Sequence, residues 1–409
     1  MRKLIFKAQA KNIIAVFLIM SMLTAILFIA LAAIGGAIGY AVNLSYARSA
    51  PSYATEVSKT CALDGEGDYT FTIPKDKELK ILNLTDLHIG GGWGSIQTDR
   101  NALKAIHTLV KYSRPDLITI TGDTLFPIVW SAGTLNNRKG ANLLTALLDS
   151  MEVPYAVVFG NHETEGNNTV LDREELGRYY ASKEYCLMQT DKTYIDASGN
   201  EVKPYGVGNY VIKVKEESGK LNTALVFIDS NDYIPGAGGL DWSYDRIHDD
   251  QIEWFKQKVD AISELNKDAR VLSFFHIPLW EYGDAWTAAM NGDADATLHF
   301  GWAGETGGKS YGGKEDSHLF DVMQDFNNNP DKADCVGVFC GHDHYNNYSI
   351  TYKGIRLTYG FSIDYLAYAD IKNQSWQRGG QLITLKSGSK GLDFDVKPII
   401  YEGIKLMEG

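Results

Sequence analysis

Three observations predict an α/β layered fold preceded by one N-terminal transmembrane helix. Short apolar runs recur along the chain, helical patterns lie between several of them, and the runs end in polar tails bearing carboxylate, amide or imidazole groups. The runs are LKILNLTDLH (79–88), LITITGD (117–123), YAVVFGNHE (155–163), ALVFIDS (224–230), RVLSFFH (270–276) and VGVFCGHDH (336–344). Continuous apolar, β-branched runs of this length suit strands buried on both faces of a sheet. Between them, Leu143, Leu144, Leu147, Leu148 and Met151 recur at helical spacing, as do Ile252, Phe255, Val259 and Ile262. Strands alternating with helices indicate α/β layers, whose ligands gather beyond the carboxyl ends of the strands. The tails fall there. Two glycine-rich stretches, 234–241 and 301–313, lack the spacing of a phosphate-binding loop and read as loops on the same rim.

Ahead of these runs, Arg2, Lys3, Lys7 and Lys11 form a basic segment over 1–12, and 13–42 carries no charged side chain. A bilayer core takes roughly 20 apolar residues of helix, so 13–42 can span it. The basic flank stays cytoplasmic, which places the body outside. The expectation is a single-pass cell-membrane protein; the alternative is a signal peptide and a secreted body, although such apolar regions run only about 7–15 residues. Residues 43–67, rich in Ser, Ala and Tyr, read as a linker, and 68–409 as the catalytic domain.

The chain has 409 residues, 44% apolar and 22% charged, which is enough for a large core and excludes wholesale disorder. Its net charge is −12 despite the basic N-terminus, and no basic stripe interrupts the acidic body. Nucleic-acid binding is therefore not expected. Cys61, Cys186, Cys335 and Cys340 are too few and too scattered for a disulfide framework. Thiols beside the apolar run at 336–340 are expected to be buried.

The tails acquire meaning together. Asp86-Leu87-His88, Gly122-Asp123, Gly160-Asn161-His162-Glu163, His276 and Gly341-His342-Asp343-His344 each end a predicted strand, so all five converge on one rim. Imidazole and carboxylate suit Mn, Fe, Zn or Co, and the absence of cysteine from the set argues against a structural thiolate site. Two ions need a shared ligand. A carboxylate bridges where an imidazole cannot, which points to Asp123. Asp343 alternates away from the metals. His107, His248, His299 and His318 are expected on the surface or in loops, while Trp280, Tyr282 and Trp286 fit either a pocket wall or the core.

The ordered set DLH, GD, GNHE, H and GHDH resembles the calcineurin-like metallophosphoesterase superfamily over 79–344. The wording FGNHE, FFHIPL and FCGHDH further resembles its purple-acid-phosphatase-like branch. The resemblance implies a layered β-sandwich flanked by helices. It also implies one metal on Asp86, His88, Asp123 and His344, a second on Asp123, Asn161, His276 and His342, and His162 as the catalytic residue facing substrate. Glu163 would orient its neighbours. Two positions depart from the purple enzymes: His88 matches the wider superfamily, and Phe126 stands where a tyrosine would ligate iron, so a colourless protein is expected. The implied activity is hydrolysis of a small phosphorylated substrate, a phosphomonoester, by a hydroxide that two metal ions make available near neutral pH. The alternatives are a phosphodiesterase or pyrophosphohydrolase acting on nucleotides or lipid head groups, and a non-catalytic metal-containing ectodomain.

Overall fold

The computed structural model describes residues 2–165, 169–234, 243–368, 371 and 377–408, the side chains of 2–12, 29, 406 and 408 excepted. Two sheets form its centre. The smaller has the order β16-β15-β3-β4-β5, from Asp395–Ile400, Gly379–Lys386, Glu78–Leu84, Leu117–Thr121 and Tyr155–Val158. The larger has nine strands in the order β1-β2-β8-β9-β10-β12-β14-β13-β11. These are Ala62–Leu63, Tyr69–Ile73, Tyr210–Glu216, Leu221–Phe227, Arg270–Phe274, Asp334–Cys340, Ile355–Tyr359, Ser349–Tyr352 and Ala296–Phe300. A small hairpin, β6 and β7 (Tyr194–Ile195 and Glu201–Val202), stands apart from both.

Each sheet has a parallel centre: β3, β4 and β5 in one, and β9, β10, β12 and β14 in the other. Parallel pairing requires crossovers, which the helices supply except between β12 and β14, where the chain returns through β13. α2 (Ile96–Ser113) and α4 (Asn137–Met151) link the strands of the smaller sheet, with the one-turn α3 (Val129–Ala132) before α4 and α5 (Arg173–Ala181) after β5. α6 (Asp249–Leu265), α7 (Glu281–Asn291) and α8 (Leu319–Asn327) serve the larger sheet, and α9 (Tyr401–Glu408) ends the chain. Along β9, Leu225 and Phe227 enter the core shared with the smaller sheet, whereas Ala224 and Val226 enter the core under α6, α7 and α8. That period of two shows both faces covered, and the molecule is a β-sandwich with helices on its outer sides. All six apolar runs form strands at the predicted places, and α6 spans the periodic residues Ile252, Phe255, Val259 and Ile262.

The N-terminal region differs from expectation after residue 35. α1 runs unbroken over Arg2–Arg48 and is long and apolar enough to cross a membrane. From Gly36 it lies against the body rather than standing clear of it. Residues 43–67, expected as a linker, belong to the domain: Asn43, Ala47, Tyr53, Val57 and Ser58 are buried. The cause is a regular set of contacts that composition conceals. Tyr46 and Tyr53 both hydrogen-bond the ring of His107 on α2, at 3.0 and 2.9 Å, and the Tyr53 N–H donates to Met151 O. His107 is therefore a half-buried clamp rather than a surface residue. The four cysteines are free thiols, all buried except the partly exposed Cys61. Of the stretch 234–241, all but Ile234 lies outside the described residues.

Candidate metal centre

All five tails leave the carboxyl ends of β3, β4, β5, β10 and β12 and meet on one rim. Their backbones turn sharply. Asp86, His88, Asp123 and His342 have φ of 51°, 49°, 49° and 76°, in the left-handed region. Each such non-glycine residue costs about 1–2 kcal/mol, and strain of this kind gathers at functional sites. The approach is close as well: a Cβ on Gly122, itself at φ 87°, would fall 2.4 Å from His276 Nδ1, and one on Gly160 would fall 2.2 Å from Asp123 Oδ1.

Asp86, His88, Asp123 and His344 are buried and bring one donor atom each within 4.8 Å of one another. His344 Nε2 lies 3.3 Å from Asp86 Oδ1, and His88 Nε2 lies 3.4 Å from Asp123 Oδ2. The same Asp123 oxygen is 3.2 Å from His276 Nε2. His276 Nε2 and His342 Nδ1 then sit 3.2 and 3.0 Å from Asn161 Oδ1 and 3.3 Å from each other. Asp123 Oδ2 thus stands between two clusters of donors. Metal–ligand bonds of about 2.0–2.2 Å put neighbouring ligand atoms roughly 3 Å apart, which is the spacing found. His88 Nε2, Asp123 Oδ2 and His344 Nε2 are buried without a hydrogen-bond partner, a costly state that a bound cation would relieve. On both counts the residues fit a pair of ions.

The electrostatics agree. Burial by itself would raise both carboxyls, but neighbouring imidazoles outweigh it. His344 holds Asp86 below its ordinary range, and His276 and His162 hold Asp123 well below. Burial would lower His88 and His276, yet the carboxylates beside them lift these rings to about 10 and about 9. The site draws positive charge. His342 is the exception, pushed well down by burial and by His276, which leaves a lone pair for an ion.

Further residues hold the donors in place. His276 Nδ1 donates to Thr121 O at 2.8 Å, turning Nε2 inward. Asn161 Nδ2 donates to Tyr233 Oη at 2.9 Å, turning its oxygen the same way. His88 Nδ1 faces Asp364 Oδ2 at 3.4 Å. Glu163 accepts from Thr124 N and Gly160 N at 2.7 and 2.8 Å, tying two tails together. Arg173 pairs with Asp229 at 2.6 Å and donates to Gly160 O at 2.9 Å. Asp343 points away and accepts from Tyr311 N, Tyr359 Oη and Asn346 Nδ2, which fastens the 301–313 loop to the rim.

His162 lies at the mouth. Its Nδ1 pairs with Glu165, and its Nε2 is 3.8 Å from Asp123 Oδ2. Phe126 stands edge-on to both His88 and His162, with ring centroids 5.4 and 5.0 Å away. Tyr244 meets the His342 ring edge-on at 4.3 Å, and Tyr368 covers His344 at 4.1 Å. Tyr282 is buried in the core, Trp286 packs on Tyr348, and Trp280 is half-exposed with its Nε1 on Gly313 O. The aromatic wall of the centre is therefore Phe126, Tyr233, Tyr244 and Tyr368. Asn231 is buried and donates to Arg246 O at 2.7 Å, so it supports a loop. His248 pairs with Asp245, while His299 and His318 are exposed and pair with Thr351 and Asp321. Asp364, Arg173 and the wall tyrosines carry no motif; only Asp229, just past the end of β9, hints at the rim. A separate cleft of about 800 Å³ lies at the amino ends of β3 and β4, lined by charges of both signs that include Lys75, Lys80, Arg114, Asp76, Glu78 and Asp116.

A family model described as calcineurin-like phosphoesterase matches residues 79–346. The chain is similar to probable inactive purple acid phosphatase 28 of Arabidopsis thaliana, 27% identical over 357 residues, 81% of this chain and 80% of that protein. It is also similar to phosphatase DCR2 of Saccharomyces cerevisiae, 25% identical over 78% of this chain and 53% of that protein. Among solved structures, a dimetal phosphatase from Danio rerio superposes with a TM-score of 0.45 at 12% identity, covering 79% of this chain and 99% of that one.

Proposed function

The chain belongs to the calcineurin-like phosphoesterase family, and on that premise we propose that it is a membrane-held, extracytoplasmic phosphomonoesterase dependent on two metal ions. The observation that carries the reading is the convergence of seven donor side chains on one rim, with Asp123 Oδ2 between two clusters. Asp86, His88, Asp123 and His344 would hold one ion, and Asp123, Asn161, His276 and His342 the other. Such a pair, when bound, acidifies water and offsets charge on phosphoryl oxygens.

The protein's own groups do the rest. The Thr121 carbonyl fixes the orientation of His276 through a hydrogen bond, and Asp364 stands beside His88 Nδ1 as a charged neighbour. His162, steered by Glu165, presents Nε2 at the mouth and serves as the acid that protonates the departing alcohol oxygen. Phe126, Tyr233, Tyr244 and Tyr368 wall the entrance. Phe126 has no oxygen with which to ligate iron, so a Mn, Fe, Zn or Co centre without a tyrosinate-to-iron charge-transfer band suits the site. The Arabidopsis relative is named inactive; here the seven donors and His162 are all present and aligned, which supports turnover over mere metal binding. The basic segment ahead of α1 supports a cytoplasmic N-terminus and an external body.

Purified chain supplied with Mn, Fe, Zn or Co, assayed on an aryl phosphate and a bis-aryl phosphate, tests the reading. Faster release from the monoester is expected. Preference for the diester moves the assignment to a phosphodiesterase, and no hydrolysis of either overturns it.

A further inference from the structure

The direction in which α1 leaves the body orients the metal centre. Along its last turns α1 meets α2 and α4 in matching order. Gly36 lies against Trp93 and Gly39 against Ile96. Tyr40 accepts from Asn142 Nδ2 at 2.8 Å. Asn43 donates to Ile96 O at 2.8 Å and accepts from Arg100 at 2.9 Å. Tyr46 and then Tyr53 reach His107, and Tyr53 also meets Met151 at the end of α4. α1 therefore runs in the same direction as α2 and α4. Both of those helices begin on the metal-bearing rim, just after the tails of β3 and β4. The free part of α1, whose described large apolar side chains, among them Ile13, Phe17, Leu23, Phe28 and Ile34, are exposed, must project past that rim.

About 20 helical residues span a hydrocarbon core of about 30 Å, so a span over that part ends where the body begins. The helix does not break at the junction. The rim loops around the exit suit this position. Trp93 and Trp130 are 59% and 89% exposed, and Val129 is 49% exposed. Exposed tryptophans favour the headgroup level of a bilayer. The segment between β4 and α4 holds both Trp130, on α3, and Phe126, which borders His88 and His162. The opposite end of the strands presents charges of both signs instead: Lys75, Lys77, Lys80 and Lys386 beside Glu56, Asp76, Glu78 and Asp116.

We propose that the metal-bearing rim faces the bilayer and that its substrate is a phosphate monoester on a lipid headgroup. The proposal rests on the phosphoesterase reading and on α1 being a span. Hydrolysis would form a bond from water oxygen to phosphorus and break the bond from phosphorus to the lipid oxygen. That oxygen takes up a proton, so the alcohol stays in the bilayer and inorganic phosphate leaves.

The test uses the full chain in phosphatidylcholine vesicles containing phosphatidic acid, with a soluble aryl phosphate as the parallel substrate. Trp93→Ser with Trp130→Ser should lower lipid turnover about tenfold while leaving the aryl phosphate rate within about twofold. An equal fall on both substrates, or no fall on the lipid, overturns the proposal. Quenching of indole fluorescence by brominated phosphatidylcholine reads the orientation without turnover. The double variant should lose quenchable signal, and an unchanged quenched fraction overturns the rim placement. If neither substrate is hydrolysed by the wild type, the phosphoesterase reading fails, while the quenching result still decides which face meets the lipid.

Discussion

Four of the seven donor residues sit in a backbone conformation that non-glycine residues avoid, so the centre is built against local preference and held by what surrounds it. The roles separate by substitution. Asp123→Asn should sharply reduce metal content, because this carboxylate stands between both clusters. His162→Ala should keep its metal and lose turnover by about 10²–10⁴, the range for a lost acid–base group. Elemental analysis beside a phosphate-release assay reads both, and equal metal loss in the two variants would refute the division. Asp364→Ala, which strips His88 of its carboxylate neighbour, should weaken metal affinity about 10–100-fold in a chelator competition. The seven donors could be read in the sequence because each follows an apolar run in a recognisable tail. Asp364 could not: it follows Gly360-Phe361-Ser362-Ile363, no motif marks it, and folding alone brings it to His88. A separate residue sets a pH dependence. Burial raises the Glu281 carboxyl to about 7, and its Oε2 has no partner. The folded state thus holds this proton more tightly than the unfolded chain. Its contribution to stability is complete below the ordinary glutamate range and lost as pH rises through about 7. Thermal melts between pH 5 and 8 should fall with pH in the wild type and fall less steeply in Glu281→Gln.

At the scale of elements, strand ends and the helices between them decide where chemistry sits. The six apolar runs were legible because strands buried on both faces need continuous apolar sequence. β8 was not, since its polar Lys213 and Lys215 interrupt the run, although Lys213 is buried in ion pairs with Asp64, Glu66 and Asp68. β15 was hidden behind Gly379-Gly380, where Asn83 and Leu84 of β3 approach closely. The region 43–67 misled for a related reason: its small and polar residues look like a linker, but Asn43 and Ala47, one helical turn apart, face the body. His107→Phe leaves the Tyr46 and Tyr53 hydroxyls without their partner. It should cost about 1–3 kcal/mol, read as a lowered melting temperature, with metal content unchanged. Unaltered stability would show that the clamp on α1 is weaker than its geometry suggests.

At the scale of the molecule, two sheets with parallel centres deliver five loops to one rim, and an unbroken helix leaves past that same rim. Donors distant in sequence become neighbours only through this arrangement, and their combined negative charge and unpartnered lone pairs suit cations. The central claim is that this rim binds two metal ions through a shared Asp123 and uses them to hydrolyse a phosphate ester. Metal stoichiometry measured with turnover, before and after chelation, tests it most directly. Two metal equivalents per wild-type chain are expected, with aryl phosphate hydrolysis that disappears on chelation and returns on re-addition of the metal. Retention of no metal above background, or hydrolysis that persists when the metal is removed, would contradict the account.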